Sequence, residues 1–209
     1  MNENISKRNK LLSEQIIKGL EKRNMKGYYA EDKEEALKIA LGLINEGATV
    51  TMGGGMSVHE IGLVEALKKG NYNFIDRDEM EDREAAALAG FTADYFLTSA
   101  NAMTQDGVLV NIDGYGNRVA ATVFGPGKVI YIVGMNKVCA DPEAALKRAR
   151  NTAAPTNVQR FDKTTPCSKT GTCMNCTSPD CICSQILFTR YSMIPNRIHV
   201  VLVNDNLGF

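Results

Sequence analysis

Short apolar segments alternate with helical patterns along most of the chain, and this alternation limits the fold more than any other feature. Residues 128–133, KVIYIV, form the clearest buried strand. Similar strands are predicted at 48–52, 73–76, 95–98 and 197–203. Helical patterns lie between them, at 32–47, 57–69, 78–89 and 142–150. This order predicts an α/β fold with a parallel, Rossmann-like sheet.

The N-terminal residues form a second unit in the predicted organisation. Apolar side chains recur there at helical spacing, at Ile5, Leu11, Leu12, Ile16, Ile17 and Leu20. This pattern predicts a helix that either packs on the core or docks another chain, so a homo-oligomer is one expectation. The predicted division is a helical extension over 1–30 and an α/β domain over 31–209, which contains a cysteine-rich insert at 165–185.

The middle of the chain departs from simple alternation. Residues 108–112 and 118–123 both look like strands, and Gly114 and Gly116 lie between them. A glycine-bearing turn between two such segments predicts a β-hairpin. Residues 151–185 show little periodicity and are predicted to be mostly loop.

Charge and composition exclude several classes of protein. Lysine plus arginine number 24, as do aspartate plus glutamate, so no net charge favours nucleic acid or an anionic membrane surface. No apolar segment approaches the roughly 20 residues that a membrane-spanning helix needs. The first fifteen residues lack the apolar stretch of a signal peptide. The sequence therefore predicts a cytoplasmic protein with reduced thiols.

A glycine-rich turn follows the strand predicted at 48–52. Gly53, Gly54 and Gly55 precede a predicted helix that contains Ser57. Backbone N–H groups at such a turn attract phosphate or carboxylate groups, and Ser57 adds a further donor. The alternative is a tight turn that needs small residues for packing.

Further polar residues follow the strand predicted at 95–98. Asn101 and Thr104 come directly after it, and Asn117 and Arg118 adjoin the Gly116 turn. Ligands of open α/β sheets bind beyond the carboxyl ends of the strands, and arginine can hold an anion in a bidentate grip. These residues are therefore predicted to bind a small anionic ligand, although turn chemistry alone also explains them. The catalytic residues are unknown at this stage.

Five of the six cysteines fall within residues 165–185. Cys173 and Cys176 form a Cys-x-x-Cys pair, in which one turn can present two sulfurs to one metal. Four thiolates suit an iron–sulfur cluster or tetrahedral zinc. The spacing matches neither a standard ferredoxin nor a zinc ribbon, so a redox disulfide or free thiols also remain open. The predicted ligands are Cys167, Cys173 and Cys176 with either Cys181 or Cys183.

Several segments together resemble a known family. They are TMGGGMSVHEIGLVEAL, YFLTSANAMTQDGVLVNIDGYGNRVAATVFGP, VIYIVGMNKV and IHVVLVNDNLGF. In this order they resemble the lactate-utilization protein C family, whose domain is called LUD, from about residue 34 to residue 209. Family members often have Gly-Gly-Ser in the turn, whereas Gly55 stands here in place of the serine.

The resemblance implies a fold and a role. The fold is a Rossmann-like αβα sandwich like that of the sugar-phosphate isomerase and CoA-transferase superfamily. The role is in oxidation of L-lactate to pyruvate, alongside iron–sulfur partner proteins. Members with a cysteine-rich insert are the most similar, and they favour Cys183 over Cys181 as the fourth ligand. The superfamily also implies an alternative, an enzyme or sensor that binds a sugar phosphate or a CoA ester.

Overall fold

Ten strands form two sheets within residues 2–209, the part of the chain that the computed structural model describes. In chain order the strands are β1 (Lys26–Ala30), β2 (Thr49–Met52), β3 (Asn73–Ile75), β4 (Tyr95–Thr98), β5 (Ala102–Thr104), β6 (Leu109–Asp113), β7 (Lys128–Gly134), β8 (Val138–Cys139), β9 (Gln185–Thr189) and β10 (Ile198–Val203). The larger sheet has the strand order β1-β10-β7-β4-β2-β3, and every pair of adjacent strands in it is parallel. The predicted parallel sheet is therefore confirmed.

Helices cover both faces of the larger sheet. Within residues 2–209 the helices are α1 (Glu3–Lys22), α2 (Lys33–Gly42), α3 (Met56–Glu60), α4 (Leu63–Lys69), α5 (Arg83–Thr92), α6 (Asn117–Phe124), α7 (Pro142–Arg148), α8 (Ala154–Val158) and α9 (Pro166–Thr170). Of these, α7 packs on the smaller sheet and α9 packs on α8. A 3₁₀ turn, Met135–Lys137, follows β7, and a π-helical segment, Ala149–Ala153, joins α7 to α8. None of the helices within residues 2–209 is long and apolar enough to cross a membrane.

Alternating side chains of the strands build two cores, one on each face of the sheet. Ile130 and Ile132 of β7 pack into the core that α2, α3 and α4 cover. Tyr131 and Val133, which point the other way, join the core that Leu20 and the rest of α1 cover. A strand with apolar residues on both faces must be buried between two layers. The architecture is the predicted αβα sandwich.

The N-terminal residues contribute directly to this sandwich. Strand β1 lies within residues 1–30 and pairs with β10, with Ala30 opposite Val203. Ile16 and Leu20 of α1 are fully buried. No strand was predicted within residues 1–30, whereas the structure has an edge strand at Lys26–Ala30. The domain boundary at residue 30 stays a prediction.

The smaller sheet has the order β8-β5-β6-β9, and its edge strand β9 holds the end of the cysteine-rich region in place. Strand β9 follows that region directly and pairs antiparallel with β6, Ile186 opposite Ile112. Val110 and Ile112 pack with Ala145 and Ala149 in a third core. The cysteine-rich region thus runs between helix α9 and an edge strand of this sheet.

The predicted hairpin is wrong in its second half, because residues 117–124 form helix α6. Gly116 adopts a left-handed conformation (φ 86°) and precedes the helix. The Asp113 carboxylate accepts a hydrogen bond from the Val119 N–H at 3.1 Å, which stabilises the first turn. Valine and threonine in this segment favour a strand, but the segment forms a helix in which Ala121 and Thr122 are buried. Tertiary packing therefore overrides local propensity.

The helix predicted over 57–69 is interrupted. Gly62 adopts a left-handed conformation (φ 77°), and it separates α3 from α4. Downstream, the helix predicted at 142–150 is longer than expected, because it continues through the π-helical segment into α8. Asp32 caps α2 and accepts a hydrogen bond from the Glu35 N–H at 2.8 Å.

Candidate functional site

The carboxyl ends of three neighbouring strands bring the candidate site together. Strand β2 leads into Gly53, β4 leads into Ser99, and β7 leads through the 3₁₀ turn to Lys137. Parallel strands end at the same edge of a sheet, so residues distant in sequence meet there. This edge is where α/β proteins bind their ligands.

Lys137 lies at the centre of the site and is buried, with 2% of its surface exposed. Its Nζ donates hydrogen bonds to Ser57 Oγ and to Ser99 Oγ, each at 3.0 Å. Ser99 Oγ in turn lies 3.3 Å from Ser57 Oγ. Burial lowers the pKa of Lys137 to about 7, and the nearby Arg148 contributes to the shift. A large share of this amine is therefore neutral near pH 7.

The side chain of Asn111 fixes the backbone at Ser99 through a hydrogen bond. Its Nδ2 donates to the Ser99 carbonyl oxygen at 2.9 Å, and its Oδ1 accepts from the Tyr131 hydroxyl at 3.3 Å. All three residues are buried. This network fixes the position of Ser99 because each polar group in it has a partner.

The glycine turn lets other residues approach the site closely. A Cβ atom at Gly53 would lie 2.7 Å from Cγ of Arg118, and one at Gly55 would lie 3.2 Å from the Ser99 nitrogen. Gly54 adopts a left-handed conformation (φ 71°) beside Arg77. The turn therefore needs glycine for packing and conformation.

Arg118 projects from α6 under this turn. Its guanidinium donates to the Ile112 carbonyl oxygen and, at 3.3 Å, to Asn101 Oδ1. The residue is partly accessible, but its Nε is buried without a hydrogen-bond partner within the described part of the chain. Burial lowers the pKa of Arg118, against the opposing effect of Asp113. A buried, unpaired N–H is costly, and an anionic ligand can satisfy it.

Two cavities adjoin Arg118. The smaller, about 50 Å³, is lined by Gly54, Gly55, Ser99, Asn101 and Lys137 among others. The larger, about 350 Å³, is lined by Gly53, Arg77, Phe96, Tyr115 and Asn117 among others. Arg118 lines both cavities. A ligand bound there can reach the arginine and the lysine together.

The structure gathers most of the residues predicted to bind an anion. The three glycines, Ser57, Asn101, Asn117 and Arg118 all line one of the cavities or contact Lys137. Thr104 lies elsewhere, at the end of β5, where its hydroxyl contacts Asp106 and accepts from the Val108 N–H at 2.8 Å. Lys137 and Arg77 were not among the predicted residues. The position of Lys137 directly after the strongest strand was the one signal in the sequence that could have indicated it.

The cysteine-rich region brings several thiols into one neighbourhood. Burial, together with the charges of Cys181, Cys173 and Cys176, raises the pKa of Cys183 to about 12. Cys167 is on α9, where its Sγ lies 3.3 Å from Thr165 Oγ1. Arg150 reaches Cys173 Sγ at 3.7 Å.

These thiols have the chemistry of a thiolate-bound metal centre. Cys173, Cys176 and Cys181 act electrostatically on Cys183, so four soft donors share one region. Within residues 2–209, no three side chains of Cys, His, Asp or Glu are already arranged to hold a metal ion. The donor set thus fits an iron–sulfur cluster or zinc, while ligation requires the loop to close further, as metal sites that form on binding do.

The sandwich and its ligand-sized cavities at the carboxyl edge of the sheet define a Rossmann-like α/β protein with a small-molecule site. The model of the LUD domain family matches residues 13–203. The chain therefore belongs to the LUD-domain family, whose members are associated with lactate utilization. Among curated proteins, none matches the chain.

Solved structures support the fold. A DUF162 family protein from Deinococcus radiodurans has a TM-score of 0.55 and 12% sequence identity, over 94% of this chain and 98% of that one. Two proteins from Chaetomium thermophilum are partly similar. eIF2B beta has a TM-score of 0.40 at 16% identity, over 53% of this chain and 44% of its own. eIF2B delta has a TM-score of 0.35 at 19% sequence identity, over 67% of this chain and 57% of its own. The last two overlaps are too partial to define a fold.

Proposed function

We propose that this chain is a component of a lactate-utilization system, in which L-lactate is oxidised to pyruvate. We propose that it binds a small hydroxy- or oxo-carboxylate between Arg118 and Lys137. Membership of the LUD-domain family supports the system. The buried, unpaired Nε of Arg118 between two cavities is the observation that carries the ligand class.

The two basic residues have different roles in this proposal. Arg118 is always charged and has a planar set of donors, which matches a carboxylate. Lys137, with its pKa near 7, lies in the smaller cavity and can exchange a proton with a hydroxyl or carbonyl oxygen of the ligand. A ligand with a carboxylate next to a hydroxyl or carbonyl group uses both residues.

Calorimetric titration of the full chain tests the proposal. L-lactate and pyruvate should bind, and Arg118→Gln should weaken binding at least about tenfold, because a charge-assisted bond is worth roughly 1.5–3 kcal/mol. Arg190→Gln, at an exposed position, is the matched control. Unchanged affinity in Arg118→Gln would contradict the proposal. Binding of sugar phosphates or CoA esters in place of both acids would support the alternative, an isomerase- or transferase-like enzyme or sensor.

We also propose that the cysteine-rich region holds an inorganic centre, an iron–sulfur cluster or alternatively zinc. Cys167, Cys173 and Cys176 are common to both predicted ligand sets, and we take Cys183 as the fourth ligand with Cys181 as the alternative, since the charges of Cys173, Cys176 and Cys181 all act on Cys183. Such a centre agrees with electron transfer to iron–sulfur partner proteins. Those partners and a homo-oligomer stay predictions.

Metal and sulfide analysis of anaerobically prepared protein tests this second proposal. Iron with acid-labile sulfide and a visible absorption band would support the cluster, and stoichiometric zinc in a colourless sample would support the alternative. Cys183→Ser should lose the metal. Cys139→Ser should keep it, because Cys139 lies in β8, outside the cysteine-rich region. Protein that binds neither metal overturns the proposal.

A further inference from the structure

Ser57, Ser99 and Lys137 form a closed triangle of polar atoms in a buried site. The Lys137 Nζ lies 3.0 Å from each serine oxygen, and the two oxygens lie 3.3 Å apart. A serine hydroxyl in contact with a lysine amine is one of the arrangements that activate serine as a nucleophile. Binding of a carboxylate at Arg118 does not require this triangle.

We propose that Ser99 is the nucleophile of an acyl-transfer reaction on small esters or thioesters, with Lys137 as its base. This activity goes beyond the proposed binding of a hydroxy- or oxo-carboxylate. The smaller cavity, about 50 Å³, limits the acyl group to a short one. The adjoining cavity of about 350 Å³ is large enough for part of the leaving group.

The position of the two serines assigns their roles. Ser99 and Lys137 both line the smaller cavity. Ser57 is fully buried behind them and contacts both. Ser99 can therefore meet a substrate, and Ser57 is a positioning residue that holds the lysine and the nucleophile together.

The reaction balances with water as the co-reactant. Ser99 Oγ attacks the acyl carbon while Lys137 Nζ takes the hydroxyl proton. The bond to the leaving alcohol or thiol then breaks, and the lysine ammonium returns the proton to it. Water next attacks the acyl-serine with the same amine as base, and a carboxylic acid and free Ser99 result.

The surroundings of the triangle suit both steps. Because burial lowers the pKa of Lys137 to about 7, the amine can accept a proton at neutral pH. Arg118 lines the same cavity and supplies positive charge where the tetrahedral intermediate becomes negative. Asn111 holds the Ser99 carbonyl at 2.9 Å, so the segment has a fixed position.

Labelling of the full chain with a fluorophosphonate probe tests the proposal, with peptide mapping by mass spectrometry. The wild-type protein should take up one label, on Ser99. Ser99→Ala should take up none, and Ser13→Ala, which removes a buried hydroxyl in α1, should label normally. Lys137→Met should label at least tenfold more slowly, whereas Lys128→Met, at the other end of β7, should match the wild type.

Ser57→Ala separates positioning from catalysis. It should still label at Ser99, but the rate should depend on pH with a shifted midpoint, because the lysine loses one hydroxyl partner. An unlabelled wild-type protein overturns the proposal, as does a label on any residue but Ser99. Neither result affects the titration with L-lactate, so the two proposals fail separately.

Discussion

Gly53 lies directly against the aliphatic part of Arg118. A Cβ atom at position 53 would be 2.7 Å from Arg118 Cγ and 2.9 Å from the Phe96 ring, closer than carbon atoms normally approach. The first glycine of the turn thus sets how near the guanidinium comes to the two cavities. Binding at Arg118 and packing at Gly53 are therefore parts of one arrangement.

Gly53→Ala should displace Arg118 and weaken ligand binding. Overpacking of this kind costs about 1–3 kcal/mol of unfolding free energy. Urea unfolding and calorimetric titration measure the two effects. Gly127→Ala is the control, because a Cβ at Gly127 has open space around it. Equal stability and affinity in Gly53→Ala and the wild type would contradict the proposed fit.

Burial of Lys137 should make stability depend on pH. The folded-state pKa, about 7, is below the unfolded value of 10.5, so between these values the unfolded chain binds more protons. The free energy of unfolding is therefore highest, as far as this group is concerned, above pH 10.5. It decreases as the pH falls from 10.5 toward 7, by an amount on the order of a few kcal/mol. The charges of Arg148 and Arg118 add to the lowering of this pKa, and the charge of Glu60 opposes it.

Lys137→Met should remove this pH dependence of the free energy of unfolding. Urea unfolding of both proteins from pH 7 to pH 10 measures it, and the variant should gain stability relative to the wild type as pH falls. Lys128→Met, at the start of β7, is the control for loss of a lysine. Parallel stability curves for wild type and Lys137→Met would show that folding does not lower the pKa of Lys137.

The sequence predicts the strands that are buried on both faces. Strands β4, β7 and β10 each contain an uninterrupted apolar segment, which a buried parallel strand requires. Strands β1 and β9 were missed, because both lie at sheet edges and depend on distant partners. Tyr28 pairs with Val201, and Leu187 pairs with Asn111, so neither pairing has a local signal.

The part of the site that was predicted has a local signal in the sequence, and the part that was missed depends on distant residues. The glycine turn is visible in the sequence, because consecutive glycines after a strand have a local conformational reason. Lys137 was missed, because a lysine after a strand usually faces water. Its burial comes from Ser57 and Ser99, which are 80 and 38 residues away along the chain.

Arg197 should be essential for the end of helix α6. Its guanidinium donates to the carbonyl oxygens of Pro126 at 2.9 Å, Thr122 at 2.7 Å and Ala121 at 3.3 Å. Arg197→Ala removes three hydrogen bonds to buried carbonyl oxygens, of which the Ala121 oxygen keeps its bond from the Gly125 N–H, and should cost at least about 2 kcal/mol of unfolding free energy. Urea unfolding measures the loss. Arg190→Ala, at an exposed position, should change stability by less than about 0.5 kcal/mol, and a similar loss in both variants would contradict this role.

Alkylation should distinguish Cys181 from Cys183 in metal-free protein. A hydrogen bond between Cys181 Sγ and Ser184 Oγ at 3.3 Å lowers the pKa of Cys181, whereas burial raises the pKa of Cys183 to about 12. The thiolate is the reactive form, so at pH 8 iodoacetamide should modify Cys181 at least about tenfold faster. Mass spectrometry of quenched samples measures both rates, and Ser184→Ala should slow Cys181 alone. Equal rates at the two cysteines would show that the loop does not bury Cys183.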